Sequence, residues 1–173
     1  MTQMLLALLT TIGVVAVVFP AIRPPTPRLL WNTTASAPVG FYQLHPVAML
    51  HVGELVAVHP PAPLASALDR SGFLPLGVPL LKTVAALAPS TVCRSGARIT
   101  VNGRDVARAL DRDRFGRRLP TWSGCRQLAA SEMFLLNAEP RSLDGRYFGA
   151  LPIAMVVGRA TPLLLSGGRS HVS

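Results

Sequence analysis

Hydrophobic positions follow two regimes along this chain. From Met4 to Ile22 the run MLLALLTTIGVVAVVFPAI holds 19 residues without a charge. As a helix it would span about 28 Å at 1.5 Å per residue, close to a bilayer core. Pro20 and the run RPPTP from Arg23 end such a helix, because proline lacks the amide donor and clashes with the preceding turn. Beyond it, apolar residues come in short blocks cut by proline and glycine. GELVAVHPP from Gly53 reads as a strand stopped by prolines. PLLKTVAAL, Pro79 to Leu87, reads as a buried strand, although its length also fits a helix. ARITVNGRDVA from Ala97 alternates around Asn102-Gly103, a strong hairpin signal. MFLLNA from Met133 and IAMVVGRATPLLL from Ile153 bring the extended segments to about six. Apart from the N-terminal run, only Pro63 to Arg70 patterns as helix, inside a surface excursion from His59 to Gly77.

Many short strands with Gly/Pro turns point to a mainly β domain, a curled antiparallel sheet or partial barrel, behind one N-terminal transmembrane helix. The expected division is an anchor over 1–22, a linker over 23–30, one domain over 31–165 and a flexible tail over 166–173. A cleaved signal peptide is the alternative for the anchor, since Ala35-Ser36-Ala37 looks like a small-residue cleavage site. Against it, no Lys or Arg precedes the apolar run, the run exceeds a usual signal core, and that site lies far beyond its end. Arg23 and Arg28 on the distal flank argue for a cytoplasmic domain by the positive-inside rule.

The cysteines argue the other way. Cys93 and Cys125 are the only two in the chain, and an even pair behind a membrane-targeting segment suggests one disulfide outside the cytoplasm. Two unpaired core cysteines are the plainer possibility. The net charge of +9 arises from 17 basic against 8 acidic residues, and 16 of the 17 are arginine. A positive surface suits anionic lipid or nucleic acid, and charge alone does not choose. Aromatic residues make up only 6% of the chain and are scattered singly, so no base-stacking platform is present and no nucleic-acid partner is expected.

Candidate chemistry narrows to a few residues. His45, His51, His59 and His171 form no close metal-binding pattern, so a metal is not expected, and each reads more simply as a surface or turn residue than as a base. Lys82 is the only lysine, and its nearest charged neighbours in sequence are Arg70 and Arg94. It either turns outward into solvent or loses its charge; buried and neutral near pH 7, its amine is a general base. Ser36 lies among small residues in NTTASAPVGFY, with Pro38 and Gly40 turning the backbone and leaving room for a substrate. Thr34 offers a hydroxyl beside the Ser36 amide, the two donors an oxyanion needs. In RSLDGRYFG, Ser142, Asp144 and Arg146 alternate and would share one face if extended. Asp144 and Arg146 would then pair, leaving Ser142 to hydrogen-bond an amine; an ordinary polar loop with a surface ion pair is the simpler reading.

Together these segments resemble the signal peptidase family of serine proteases with a Ser/Lys dyad (S26), in particular its conjugative-transfer, TraF-type branch. NTTASAPVGFY resembles that branch's nucleophile box, GELVAV the next strand box, PLLKTVAAL the box carrying the lysine and SLDGRYFG the C-terminal box, in order from the anchor to about Leu164. The resemblance implies a membrane-anchored peptidase on the extracytoplasmic side of a bacterial inner membrane, with a coiled antiparallel β fold and no metal or organic cofactor. By the same resemblance, Ser36 is the nucleophile and Lys82 the general base. The Ser36 amide and Thr34 hold the oxyanion, Ser142 orients Lys82, and Asp144 with Arg146 forms a supporting ion pair. Gly145 departs from the serine usual in that box, and Ala88-Pro89-Ser90 from the usual Pro-Gly-Asp.

The function expected is an endopeptidase that processes an exported precursor, with a conjugative pilin precursor as the leading substrate and membrane lipid as the second partner. The alternatives are a general leader peptidase and a non-catalytic anchored scaffold of a transfer or secretion complex. An acyl-enzyme can pass its acyl group to water or to another amine, and the sequence is compatible with both.

Overall fold

The computed structural model describes residues 2–22 and 29–166. A helix, α1 (Thr2–Ile22), comes first and is uncharged along its length. Its side chains are described only between residues 3 and 15, about 20 Å of helix, and no helix among the described residues is long and apolar enough to cross a membrane. The stretch expected as an anchor over 1–22 is helical over Thr2–Ile22, and residue 1 lies outside the described residues.

The rest is mainly β. Among the described residues, seven strands make one antiparallel sheet: β1 (Leu29–Asn32), β2 (Gly40–His45), β3 (Leu55–Val58), β4 (Leu80–Leu87), β9 (Glu132–Leu136), β10 (Leu151–Pro152) and β11 (Val156–Leu165), in the order β1-β2-β11-β3-β4-β9-β10. Four strands make a second: β5 (Thr91–Ser95), β6 (Arg98–Val101), β7 (Arg104–Arg108) and β8 (Gly124–Gln127), in the order β7-β6-β5-β8. Register shifts in β11 between Val156 and Gly158 and between Pro162 and Leu164, and in β4 between Val84 and Ala86, interrupt the large sheet. Such bulges bend a strand and increase its twist, which curls the sheet.

The sequence of β4, apolar except for Lys82 and Thr83, explains its place within the large sheet. Val84 packs with Val56, Val58 and Leu135 in one core cluster, whereas Leu81 packs with Tyr42, Leu44 and Ala57 in another. A strand covered on both faces needs apolar residues at nearly every position. A third cluster of Ala86, Val92, Ile99, Phe134 and Leu136 joins the small sheet to the large one. Helix α2 (Ala62–Arg70) lies in the excursion between β3 and β4, as expected, with Leu68 buried.

At Asn102-Gly103 both φ angles are positive, 49° and 78°, as a type I′ hairpin between β6 and β7 requires. Five strands, β1, β2, β5, β8 and β10, were not legible in the residue pattern. β8 is exposed at all four positions, so no alternation marks it. β1 begins at Leu29, inside the expected linker over 23–30; residues 23–28 lie outside the described residues. Of the expected tail, Ser166 donates its amide to the Val39 carbonyl at 2.9 Å, and residues 167–173, with His171, lie outside the described residues.

Candidate active site

The site is built from three segments. The first is the loop between β1 and β2, which pair with Asn32 opposite Gly40. The Asn32 side chain organises the loop from within: Nδ2 donates to the carbonyls of Thr34, Ala37 and Pro38 at 2.9, 3.0 and 3.0 Å. Its Oδ1 accepts from the Thr34 amide and hydroxyl at 3.1 and 2.9 Å. The Tyr42 hydroxyl donates to the Pro38 carbonyl at 2.6 Å. Gly40 has φ +153°, and a Cβ there would lie 2.2 Å from the Leu164 carbonyl oxygen, so only glycine lets β2 start this close to β11. Ser36 is left partly exposed on this tied loop.

Lys82 comes from β4, where it pairs with Val56 of β3. The outward, solvent-facing alternative is excluded, since Lys82 is only 2% exposed. Its Nζ lies 3.2 Å from Ser36 Oγ and donates to Ser142 Oγ at 2.9 Å. Burial is the main force that pushes the Lys82 amine down from 10.5 to about 8; Arg146 pushes the same way and Asp144 opposes. Desolvation disfavours the ammonium form, so a large fraction is neutral at mildly alkaline pH.

The third segment runs from the end of β9 into α3 (Gly145–Phe148). The extended reading of Ser142, Asp144 and Arg146 is corrected here: Asp144 caps a helical turn, its Oδ1 accepting the Arg146 amide at 3.1 Å. A short polar residue favours this capping because it satisfies a helix-end amide that has no carbonyl partner. The pair nonetheless forms, with Arg146 Nε 3.6 Å from Asp144 Oδ1 and both side chains almost wholly buried. It is not the surface ion pair of the simpler reading. Burial pushes the Asp144 carboxyl up, while Arg146 and the amides of Arg146 and Asn137 pull it back down. The Arg146 guanidinium also donates to the carbonyls of Glu139, Pro140 and Asn137, which wraps the loop carrying Ser142 around it.

Thr34 Oγ1 lies 3.1 Å from Ser36 Oγ. A hydroxyl has one proton, and that of Thr34 is directed at Asn32 Oδ1. Toward Ser36 it is therefore an acceptor, and donation to an oxyanion would require its hydrogen to turn away from Asn32. The Ser36 amide, by contrast, has no acceptor among the described residues.

Gly145, the departure from the usual serine, has no room for a side chain. A Cβ would lie 2.7 Å from both the Leu135 carbonyl oxygen and Phe134 Cε2. Two of the histidines are engaged elsewhere: His45 bonds Thr161 at 3.0 Å, and His51 pairs with Glu54 at 3.5 Å. Cys93 and Cys125 form a disulfide between directly opposed residues of β5 and β8. The next residue, buried Arg94, donates to the Arg146 carbonyl, so the small sheet is tied to the third segment.

Two residues that organise the site, Asn32 and Asn137, were not singled out by sequence reasoning. Asn32 opens the nucleophile stretch but was given no role. Asn137 is the penultimate residue of MFLLNA, just past the end of β9, and its side-chain amide reaches both Ser36 and β4. An asparagine ending an apolar strand was the only signal.

A partly exposed hydroxyl, a buried amine and a second, buried hydroxyl thus stand within hydrogen-bond reach of one another on a curled β-sheet. The family model for signal peptidase, peptidase S26, matches residues 1–164, and the chain belongs to that family. It is 35% identical to a probable conjugal transfer protein TraF of Sinorhizobium fredii, over 77% of this chain and 75% of the relative. With the conjugal transfer protein TraF of Agrobacterium tumefaciens it shares 32% identity, over 76% and 80%. Among solved structures, a signal peptidase I from Enterococcus faecalis aligns with 67% of this chain and all of its own, at 18% identity and a TM-score of 0.40.

Proposed function

We propose that this protein is a membrane-anchored serine endopeptidase that processes an exported precursor, with Ser36 and Lys82 as its catalytic dyad. The observation that carries the reading is the 3.2 Å contact between Ser36 Oγ and the buried Lys82 amine, a nucleophile and base within hydrogen-bond reach. Neutral Lys82 takes the Ser36 proton as Oγ attacks the scissile carbonyl carbon. As the C–N bond breaks, Lys82 returns that proton to the leaving amine. Water then attacks the acyl carbon, giving a proton to Lys82; as the bond from that carbon to Ser36 Oγ breaks, Lys82 passes the proton to Oγ, and the new carboxylic acid leaves, losing its own proton to solvent. The Ser36 amide is the first oxyanion donor, and the Thr34 hydroxyl becomes the second once it turns from Asn32. Ser142 orients the amine, and the Asp144–Arg146 pair holds the loop that carries Ser142.

The relatives are named as conjugal transfer proteins, which favours a precursor belonging to a conjugation apparatus, a pilin subunit foremost. The uncharged helix α1 would hold the enzyme in the inner membrane, with lipid as its second partner. The Cys93–Cys125 bridge favours an extracytoplasmic domain, because disulfides persist in oxidising compartments.

The test is to incubate the purified protein in detergent with a pilin precursor and follow its shortening by mass spectrometry. Processing by the wild type that disappears in Ser36→Ala and Lys82→Ala supports the dyad. Full processing by Lys82→Ala would overturn it. Cleavage of a panel of unrelated preproteins at equal rate would favour a general leader peptidase, and no covalent labelling of Ser36 by an activated ester would favour a scaffold.

A further inference from the structure

All the polar groups of Asn137 are engaged, and they reach each of the three segments of the site. Nδ2 donates to the Ser36 carbonyl at 2.7 Å and to the Leu81 carbonyl at 3.0 Å. Oδ1 accepts from the Thr83 amide at 3.0 Å. The Asn137 amide donates to Asp144 Oδ2 at 3.0 Å, and its carbonyl accepts from Arg146 Nη2. Leu81 and Thr83 flank Lys82, so the side chain grips β4 on both sides of the amine while holding the backbone of the nucleophile.

We infer that Asn137 is a positioning residue that sets the Ser36–Lys82 contact, through a side chain that bridges the Ser36 carbonyl to β4 at Leu81 and Thr83. The bond to Ser36 joins residues 101 apart in sequence. Through this one side chain the backbone of the nucleophile is bridged to the backbone of the base strand at Leu81 and Thr83. The loop's other hydrogen bonds from its backbone run within the loop and β2, through Asn32 and Tyr42, or from Val39 to Ser166, and do not reach β4; Ala37 shares an apolar cluster with Leu81, which carries no directional bond. The chemistry demands an amide at this position. It must donate twice and accept once in one plane, which a carboxylate, with no donor, cannot do. An aligned hydrogen bond fixes distance to a few tenths of an ångström, and a displacement of about 1 Å between reacting groups lowers rates on the order of a hundredfold.

The inference rests on the dyad reading for its catalytic consequence and on geometry alone for its structural one, so two readouts are used. Lys82 is the only lysine in the chain, so protein grown with 13C-labelled lysine gives one side-chain Cε resonance, whose pH titration reports its pKa. In the otherwise wild-type protein, Ser36→Ala should displace this titration, because the amine loses a hydrogen-bond partner. With Asn137→Ala already present, the displacement caused by Ser36→Ala should shrink to less than half, since Ser36 is no longer held against the amine. Equal displacement in both backgrounds overturns the inference. If Asn137→Ala does not fold, the same cycle is run on Asn137→Asp, which keeps the side-chain size but not the donors.

The second readout is first-turnover acylation by the p-nitrophenyl ester of N-acetylalanine. Ser36 Oγ bonds the acyl carbon, nitrophenolate leaves with the electron pair, and Lys82 takes the proton. Asn137→Ala should lower the maximal acylation rate about 10- to 100-fold with the half-saturating ester concentration unchanged. An unchanged rate overturns the catalytic consequence. If the wild type itself is not acylated while the titration displacement still depends on Asn137, the peptidase reading falls and the positioning role stands.

Discussion

Lys82 Nζ and Ser36 Oγ lie 3.2 Å apart although 46 residues separate them in sequence. The amine belongs to a strand buried on both faces, and the hydroxyl to a loop that stays partly exposed. The contact therefore stands at the boundary between core and solvent. Burial lowers the affinity of the amine for a proton, and the exposed side lets a substrate reach the hydroxyl.

Acylation of Ser36 should rise with pH through a single midpoint near 8, where the Lys82 amine titrates, and level off above about pH 9, one unit past the midpoint. First-turnover rates between pH 6 and 10 check this. A flat profile would separate Lys82 from the chemistry.

The same burial should make Lys82 a destabilising residue at neutral pH. Its folded-state pKa, about 8, lies below the ordinary 10.5, so between those values the unfolded chain binds the extra proton and stability rises with pH. Below pH 8 the full penalty applies, about 3 kcal/mol for a shift of this size. Lys82→Met should thus abolish acylation yet raise stability at pH 7 by about 2 kcal/mol, the remainder being lost with the hydrogen bonds to Ser36 and Ser142. Denaturant unfolding at pH 7 and at pH 10.5 measures it, and the gain should vanish at the higher pH.

Removing either partner of the buried pair should move the Lys82 midpoint in opposite directions. Asp144 raises the amine's pKa and Arg146 lowers it, so Asp144→Asn should shift the acylation midpoint down and Arg146→Met should shift it up. Each should also destabilise the fold by about 3 kcal/mol or more, because the charge left behind is buried without its counter-ion. Shifts of the same sign would mean that the two side chains act only through loop structure.

Gly145→Ser, which restores the serine of the usual box, should destabilise this chain by about 1 to 3 kcal/mol. The added atom meets the Leu135 carbonyl oxygen and the Phe134 ring, both part of a packed segment. Thermal unfolding checks it, and an unchanged midpoint would show that α3 has room to move.

Cys93→Ser with Cys125→Ser should lower stability by roughly 3 to 4 kcal/mol, as expected for opening a closed loop of about 32 residues. The loss should match that produced by a reductant in the wild type. Because Arg94 ties β5 to the Arg146 carbonyl, acylation should weaken at temperatures where the small sheet frays before the large one, which a rate-against-temperature series resolves.

What the sequence determined by itself was local. The uncharged run over Met4 to Ile22, the I′ turn at Asn102-Gly103 and the strand around Lys82 follow from periodicity and backbone preference, which act over a few residues. The order of the boxes made Ser36, Lys82, Ser142, Asp144 and Arg146 legible as a group. The tertiary structure decided what depends on distant partners. It buried Lys82 instead of turning it outward, because the nucleophile loop and the loop carrying Ser142 meet at its amine. It made Asp144 a helix cap, since a single turn of α3 fits under Trp122, whose indole donates to the Gly145 carbonyl at 2.9 Å. It also assigned Asn137 its place, because a donor that reaches across 101 residues leaves no periodic trace in the chain that encodes it.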